Sequence, residues 1–169
     1  MRSEDRRKQI LDILQTADTP VSAAVLAAKF SVSRQVIVGD IALLRASGTQ
    51  ISATPRGYVI LPESTGFLYQ VACQHTSVNM EAELNIIVDN GCTVVDVIVD
   101  HPIYGQLTGP LQLSNRYDVQ QFIDRCAQSS AQPLSDLTHG VHLHTLSCPS
   151  EEAFLRVKQL LQEKKYLLQ

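Results

Sequence analysis

"SAAVLAAKFSVSRQVIVGDIALLRASG", residues 22–48, holds two apolar-periodic segments separated by three residues. Ser22 and Ser33 each stand just ahead of a helical pattern, where N-caps belong, and Gly48 follows the last periodic residue. The spacing predicts a helix over 22–30, a tight turn at "SVS" and a third helix from Arg34 to Gly48. Helix, short turn and helix is an arrangement used to bind DNA. Upstream, Ile10, Leu11 and Leu14 place an amphipathic helix over Arg6 to Leu14, and "TADTPVS" connects it to the second. Downstream, "QISATPRGYVIL" (50–61) is two β-prone runs around "TPRG", a hairpin where a winged helix carries its wing. Residues 1–62 are therefore expected to form a winged helix-turn-helix domain.

On a helical wheel the third helix has a core stripe of Ile37, Ile41 and Leu44. Arg34, Gln35, Val38, Gly39, Ala42 and Arg45 fall opposite. Small side chains with an arginine at either end suit close approach to a major groove. Arg34 and Gln35 can reach base edges or phosphates, and Val38 and Ala42 can meet thymine methyls. Arg56 at the wing tip is placed for backbone or minor-groove contact. The candidate DNA contacts are Ser33, Arg34, Gln35, Val38, Arg45 and Arg56. Asp40 turns toward the core and needs a basic partner, Arg6 or Arg7.

Charge divides along the chain. The net −3 over 169 residues conceals +3 on residues 1–62 and −6 on the rest, so the first part is better suited to a polyanion. No apolar run approaches the roughly 18 residues of a membrane helix. "MRSEDRRKQILDIL" carries charges within its apolar pattern, unlike a signal peptide. Cys73, Cys92, Cys126 and Cys148 have no C-x-x-C spacing and read as reduced thiols. The expectation is a cytoplasmic protein with no membrane partner.

After a linker at "LPESTG" (61–66), the acidic remainder reads β-α-β-β-α-β-α over 67–169, an α+β sandwich of ferredoxin-like type. Its last helix is expected to run over "EEAFLRVKQLLQEKKYL" to Leu167. In "GVHLHTL" (140–146), His142 and His144 lie two apart on one strand and so share a face. They form either a metal-ligand half-site or a pair on a solvated face. His75 ends a strand, and Glu83 lies on the flank of the buried stripe of the following helix. A carboxylate turned toward a core needs a cation or a donor. Three imidazoles and a carboxylate would suit zinc, nickel, iron or cobalt. "HPIYG" shows His101 and Tyr104 on a turn, as lining for a small-ligand pocket or as an ordinary turn with a capped histidine. No H-E-x-x-H, G-x-S-x-G, P-loop or G-x-G-x-x-G is present, so nothing signals catalysis.

Together, "SRQVIVGDIALLR", "ATPRGYVI", "CQHTSVNMEAELNIIVDNG", "DVIVDHPIYGQL" and "LTHGVHLHTL" resemble the niacin-responsive transcriptional repressors, whose ligand-binding module is named for three histidine motifs. The resemblance covers nearly the whole chain. It implies a repressor of niacin-uptake and NAD-biosynthesis genes with nicotinic acid as co-repressor. It also implies one divalent metal (nickel, zinc or iron) on His75, Glu83, His142 and His144, with His101 and Tyr104 near the effector. A homodimer joined through the C-terminal domain would read an inverted repeat in double-stranded operator DNA. Members of that family carry a longer polar residue, typically Gln, where this chain has Gly39. The alternative is a metal-sensing regulator whose effector is the ion itself.

Overall fold

The computed structural model describes residues 2–61 and 66–169. It divides into two compact units at residues 63 and 64; most of the expected linker, 62–65, lies outside the described residues. The N-terminal unit contains α1 (Ser3–Thr16), α2 (Ala23–Phe30), α3 (Arg34–Ala46), β1 (Ser52–Thr54) and β2 (Gly57–Val59). Helix α1 starts earlier than the apolar periodicity indicates, with Glu4 and Asp5 in its first turn favoured by the helix dipole. Both caps form: Ser22 Oγ accepts from the Val25 N–H at 3.2 Å and Ser33 Oγ from the Val36 N–H at 3.3 Å. Ile10, Leu14, Leu26, Ile37, Ile41 and Leu44 form one core.

Val21 exchanges backbone bonds of 2.8 and 2.9 Å with Tyr58, giving the wing a third edge. Asp40 is buried, and Arg6 grips it with Nε at 2.6 Å from one oxygen and Nη2 at 3.3 Å from the other. Arg7 adds a contact of 3.6 Å, so both expected partners are used.

On the opposite face of α3, an added Cβ at Gly39 would meet nothing within 4 Å beyond its own helix. Gly39→Ala is expected to stabilise this unit by about 1 kcal/mol, because alanine costs less backbone entropy in a helix. A raised urea midpoint at unchanged slope would show it.

The C-terminal unit runs β3 (Phe67–Gln74), a 3-10 turn (Ser77–Asn79), α4 (Met80–Asp89), β4 (Thr93–His101), β5 (Gly105–Leu113), α5 (Arg116–Gln128), a second 3-10 turn (Leu134–Thr138), β6 (Val141–Cys148) and α6 (Glu151–Glu163). Its sheet is ordered β3-β6-β4-β5 with neighbours antiparallel. Both βαβ units are therefore split: β3 and β4 run parallel around β6, and β5 and β6 run parallel around β4. This is the expected α+β arrangement, an antiparallel sheet packed against helices, with β3 and β5 as its edges. Leu84, Ile87, Val119, Val157 and Leu161 from the three helices share one core with the sheet.

Helix α6 stops at Glu163, four residues short of the expected end. Lys165 turns into the left-handed region at φ 60°. The tail then lies along β3, where Gln74 N–H donates to Tyr166 O at 2.8 Å and Leu168 N–H to Ala72 O at 2.9 Å. Satisfying the open edge of β3 outweighs one more exposed helical turn. No helix among the described residues is long and apolar enough to cross a membrane.

Candidate metal centre and DNA-binding face

The fold gathers His75, Glu83, His142 and His144 at one point. Strand β6 alternates strictly, so His142 and His144 share the buried face with Leu146 and Cys148. The solvated-face alternative is thereby excluded. Helix α4 turns Glu83 fully inward, at 0% exposure. His75 arrives from the end of β3, where its N–H donates to Gly140 O at 3.4 Å. Gly140 has φ 87°, and a Cβ there would meet His75 O at 2.3 Å, so only glycine lets the two backbones pass this closely.

The three imidazoles surround the carboxylate. From Glu83 oxygens, His75 Nε2 lies 2.8 Å away, His142 Nε2 3.1 Å and His144 Nε2 3.5 Å. Each ring faces a carbonyl with its other nitrogen. His75 Nδ1 donates to Thr76 O at 2.9 Å, His142 Nδ1 to Gly140 O at 2.8 Å and His144 Nδ1 to Asp96 O at 2.7 Å. Thr145 N–H, opposite Asp96 in the ladder, donates instead to the Asp96 carboxylate at 3.1 Å. A carbonyl only accepts, so Nδ1 carries the proton in all three rings. Each Nε2 then holds either a second proton or a lone pair facing the centre.

Electrostatics demand positive charge there. A buried carboxylate costs several kcal/mol unless compensated. Burial alone would raise the Glu83 pKa. The charge of His144 and the bonds from His142, His144 and His75 instead hold it well below the usual carboxylate range. Burial pulls His144 downward, but Glu83 and the Asp96 carbonyl lift it above the ordinary imidazole value. His75 is raised in the same way: burial opposes, while Glu83 and the Thr76 carbonyl prevail. Two requirements of a divalent transition ion are met: a buried anion, and neutral-capable imidazoles whose tautomer is set from outside. A third observation fits as well. His75 Nε2 is buried and faces Glu83 at 2.8 Å without meeting the angle of a well-formed hydrogen bond.

Sequence reasoning passed over Cys73 as a member of this cluster. Its sulfur, a Glu83 oxygen and a His142 ring nitrogen lie within 4.8 Å of one another. The signal was present: C-x-H at 73 and 75 repeats the H-x-H of 142 and 144. His101 and Tyr104 do not join the centre. They occupy the β4–β5 hairpin tip, where His101 Nδ1 accepts from the Ile103 and Tyr104 N–H groups at 3.1 and 3.3 Å. Tyr104 is 74% exposed, and neither residue lines the cavity beside Glu83. The imidazole satisfies these two turn N–H groups locally.

On the N-terminal unit, Arg34, Gln35 and Val38 are exposed on one face of α3. Ser33 commits its hydroxyl to the cap. Arg45 is partly committed too: its Nε donates to Ile51 O at 2.8 Å and its guanidinium lies 5.9 Å over the Tyr58 ring. It ties α3 to the wing. Arg56 sits half-buried at the wing turn, its N–H donating to Thr54 Oγ1 at 3.2 Å.

Comparison with known proteins agrees with both halves. Residues 6–59 match an HTH domain family and residues 69–169 match the 3H domain family. A protein of Thermotoga maritima described as "Probable transcription repressor NiaR" is 43% identical over 166 residues, covering 98% of this chain and 95% of its own length. "Transcription repressor NadR" of Bacillus subtilis is 42% identical over 168 residues, covering 97% of this chain and 93% of its own. These relatives are repressors and not enzymes. With a helix-turn-helix unit ahead of a 3H domain, and this similarity along nearly its whole length, the chain belongs to the NiaR/NadR family of DNA-binding transcription repressors.

Proposed function

We propose that this repressor is governed by nicotinic acid as co-repressor and controls genes of niacin uptake and NAD biosynthesis. One divalent transition ion (nickel, zinc or iron) is held by His75, Glu83, His142 and His144. The chain acts as a homodimer through its C-terminal domain on an inverted-repeat operator, with Arg34, Gln35 and Val38 facing the major groove and Arg56 the flanking backbone. The observation that carries the reading is the convergence of three Nδ1-tethered imidazoles on one fully buried carboxylate. An ion held by His75, Glu83, His142 and His144 would supply Lewis acidity toward a pyridine carboxylate. Met80, Val97, Leu111 and Phe122 offer the ring an apolar wall. The effector acts by linkage, tightening operator binding by its differential affinity for the DNA-competent dimer.

One observation favours a second reading, in which the ion itself is the effector. The cavity beside Glu83 measures about 30 Å³, room for an ion or a water. A pyridine ring requires the cavity to widen. Fluorescence-anisotropy titration of metal-loaded protein with its operator, with and without nicotinic acid, separates the two. Several-fold tightening by the acid supports the co-repressor reading. Indifference to the acid, with loss of binding on chelation, moves the assignment to metal sensing.

A further inference from the structure

Cys73 stands directly opposite His142 in the antiparallel pairing of β3 with β6. Their side chains therefore emerge together on the helix-covered face of the sheet. The thiol is entirely buried, and its sulfur, a Glu83 oxygen and a His142 nitrogen are mutually within 4.8 Å. His75, two residues on, sends its Nε2 into the same space, 2.8 Å from a Glu83 oxygen; its side chain is 5% exposed. The opposed strand motifs C-x-H and H-x-H thus present four donors, with Glu83 above them from α4.

Charge gives the sulfur a task. A divalent ion here would meet a single anion, Glu83, if the donors were only the three imidazoles and that carboxylate. Without a bound effector carboxylate, one positive charge would remain in a largely buried site, which is costly. A thiolate would cancel it.

We infer that Cys73 is a fifth donor to this ion, a thiolate that makes the centre a mixed nitrogen, oxygen and sulfur site; this rests on the metal reading above. On binding, the S–H bond breaks, the metal–sulfur bond forms and one proton leaves to solvent. No electron is transferred. A soft donor biases the site toward nickel, cobalt and zinc and away from manganese and magnesium.

The test is a titration of metal-stripped, reduced full-length protein with Co²⁺, followed by absorption. The wild type is expected to show visible ligand-field bands and a near-ultraviolet sulfur-to-cobalt charge-transfer band. Cys73→Ser keeps the visible bands, loses the near-ultraviolet band and binds Co²⁺ about 10- to 100-fold more weakly. Cys126→Ser, which alters a thiol outside the cluster, keeps both. Visible bands without the sulfur band in the wild type overturn the role of Cys73 and leave the imidazole–carboxylate site standing. A wild type with no visible bands at saturating Co²⁺ overturns the metal reading and this inference together. The wild-type spectrum decides the matter even if the serine variant folds poorly.

Discussion

Glu83→Ala is expected to abolish tight binding of a divalent ion and to change the metal-free protein in a pH-dependent way. In the metal-free cluster Glu83 faces three imidazoles, and it lifts those of His75 and His144 above their ordinary value. Glu83 is held below the usual carboxylate range, so its contribution is present above the unfolded value and is lost as pH falls through the folded one. His75 and His144 are raised, so theirs is present below the unfolded imidazole value and is lost as pH rises through the folded ones. Both conditions hold together between roughly pH 4.5 and 6.5. The protons belong to the cluster and not to one ring.

At about pH 6 the substitution therefore removes the partner of buried cations and costs about 3–5 kcal/mol. Toward about pH 9, as pH rises through the raised values of His75 and His144, the wild-type carboxylate loses its counter-charge and the cost falls toward zero or reverses. Chelator-treated protein unfolded in urea at both pH values checks this; equal costs would show that Glu83 is held by packing alone. Adding metal reverses the wild-type trend. Deprotonated rings are better ligands, so metal affinity rises with pH. An ion at 100 times its Kd adds about 2.7 kcal/mol of stability, which the variant forgoes.

Arg34→Ala and Arg45→Ala are expected to separate contact from support. Arg34 is exposed at the first turn of α3, where a recognition helix meets base edges and phosphates. Its removal is expected to weaken operator binding about 5- to 150-fold, the equivalent of roughly 1–3 kcal/mol, with the urea midpoint unchanged. Arg45 is tied to Ile51 O and stacked on Tyr58, so its loss frees the wing from α3. Arg45→Ala is expected to lower both the midpoint and the affinity. Anisotropy at several salt concentrations, paired with urea unfolding, distinguishes the variants. If Arg45→Ala left stability intact and lost a salt-dependent contact, Arg45 would be a DNA ligand and not a brace.

The helix-turn-helix was legible because its signals are local. Ser22 and Ser33 ahead of apolar periods, and Gly48 behind, need no partner elsewhere in the chain to be read. The pairing of Asp40 with Arg6 and Arg7 was likewise legible, since a carboxylate on a buried stripe has to find a cation. In the C-terminal half, the order of elements follows from period and turn chemistry. The common face of His142 and His144 follows from strand geometry alone.

Whether that face was wet or buried did not follow, because it depends on which side of the sheet the three helices cover. Strand order is a long-range choice, and it alone set Cys73 against His142 and brought β3 beside β6. The end of α6 was decided in the same way: residues 164–168 are as helix-compatible as those before them, and only the open edge of β3 made an extended tail better. His101 shows the converse. Its imidazole is held by two turn N–H groups within three residues, a local bond that no long-range contact was needed to set. Local bonding rules let this sequence determine its elements, its caps and the residue types of its centre. The closing of that centre around Glu83 rests on contacts between residues far apart in the chain, such as Glu83 and His142, 59 positions apart, which only tertiary packing arranges.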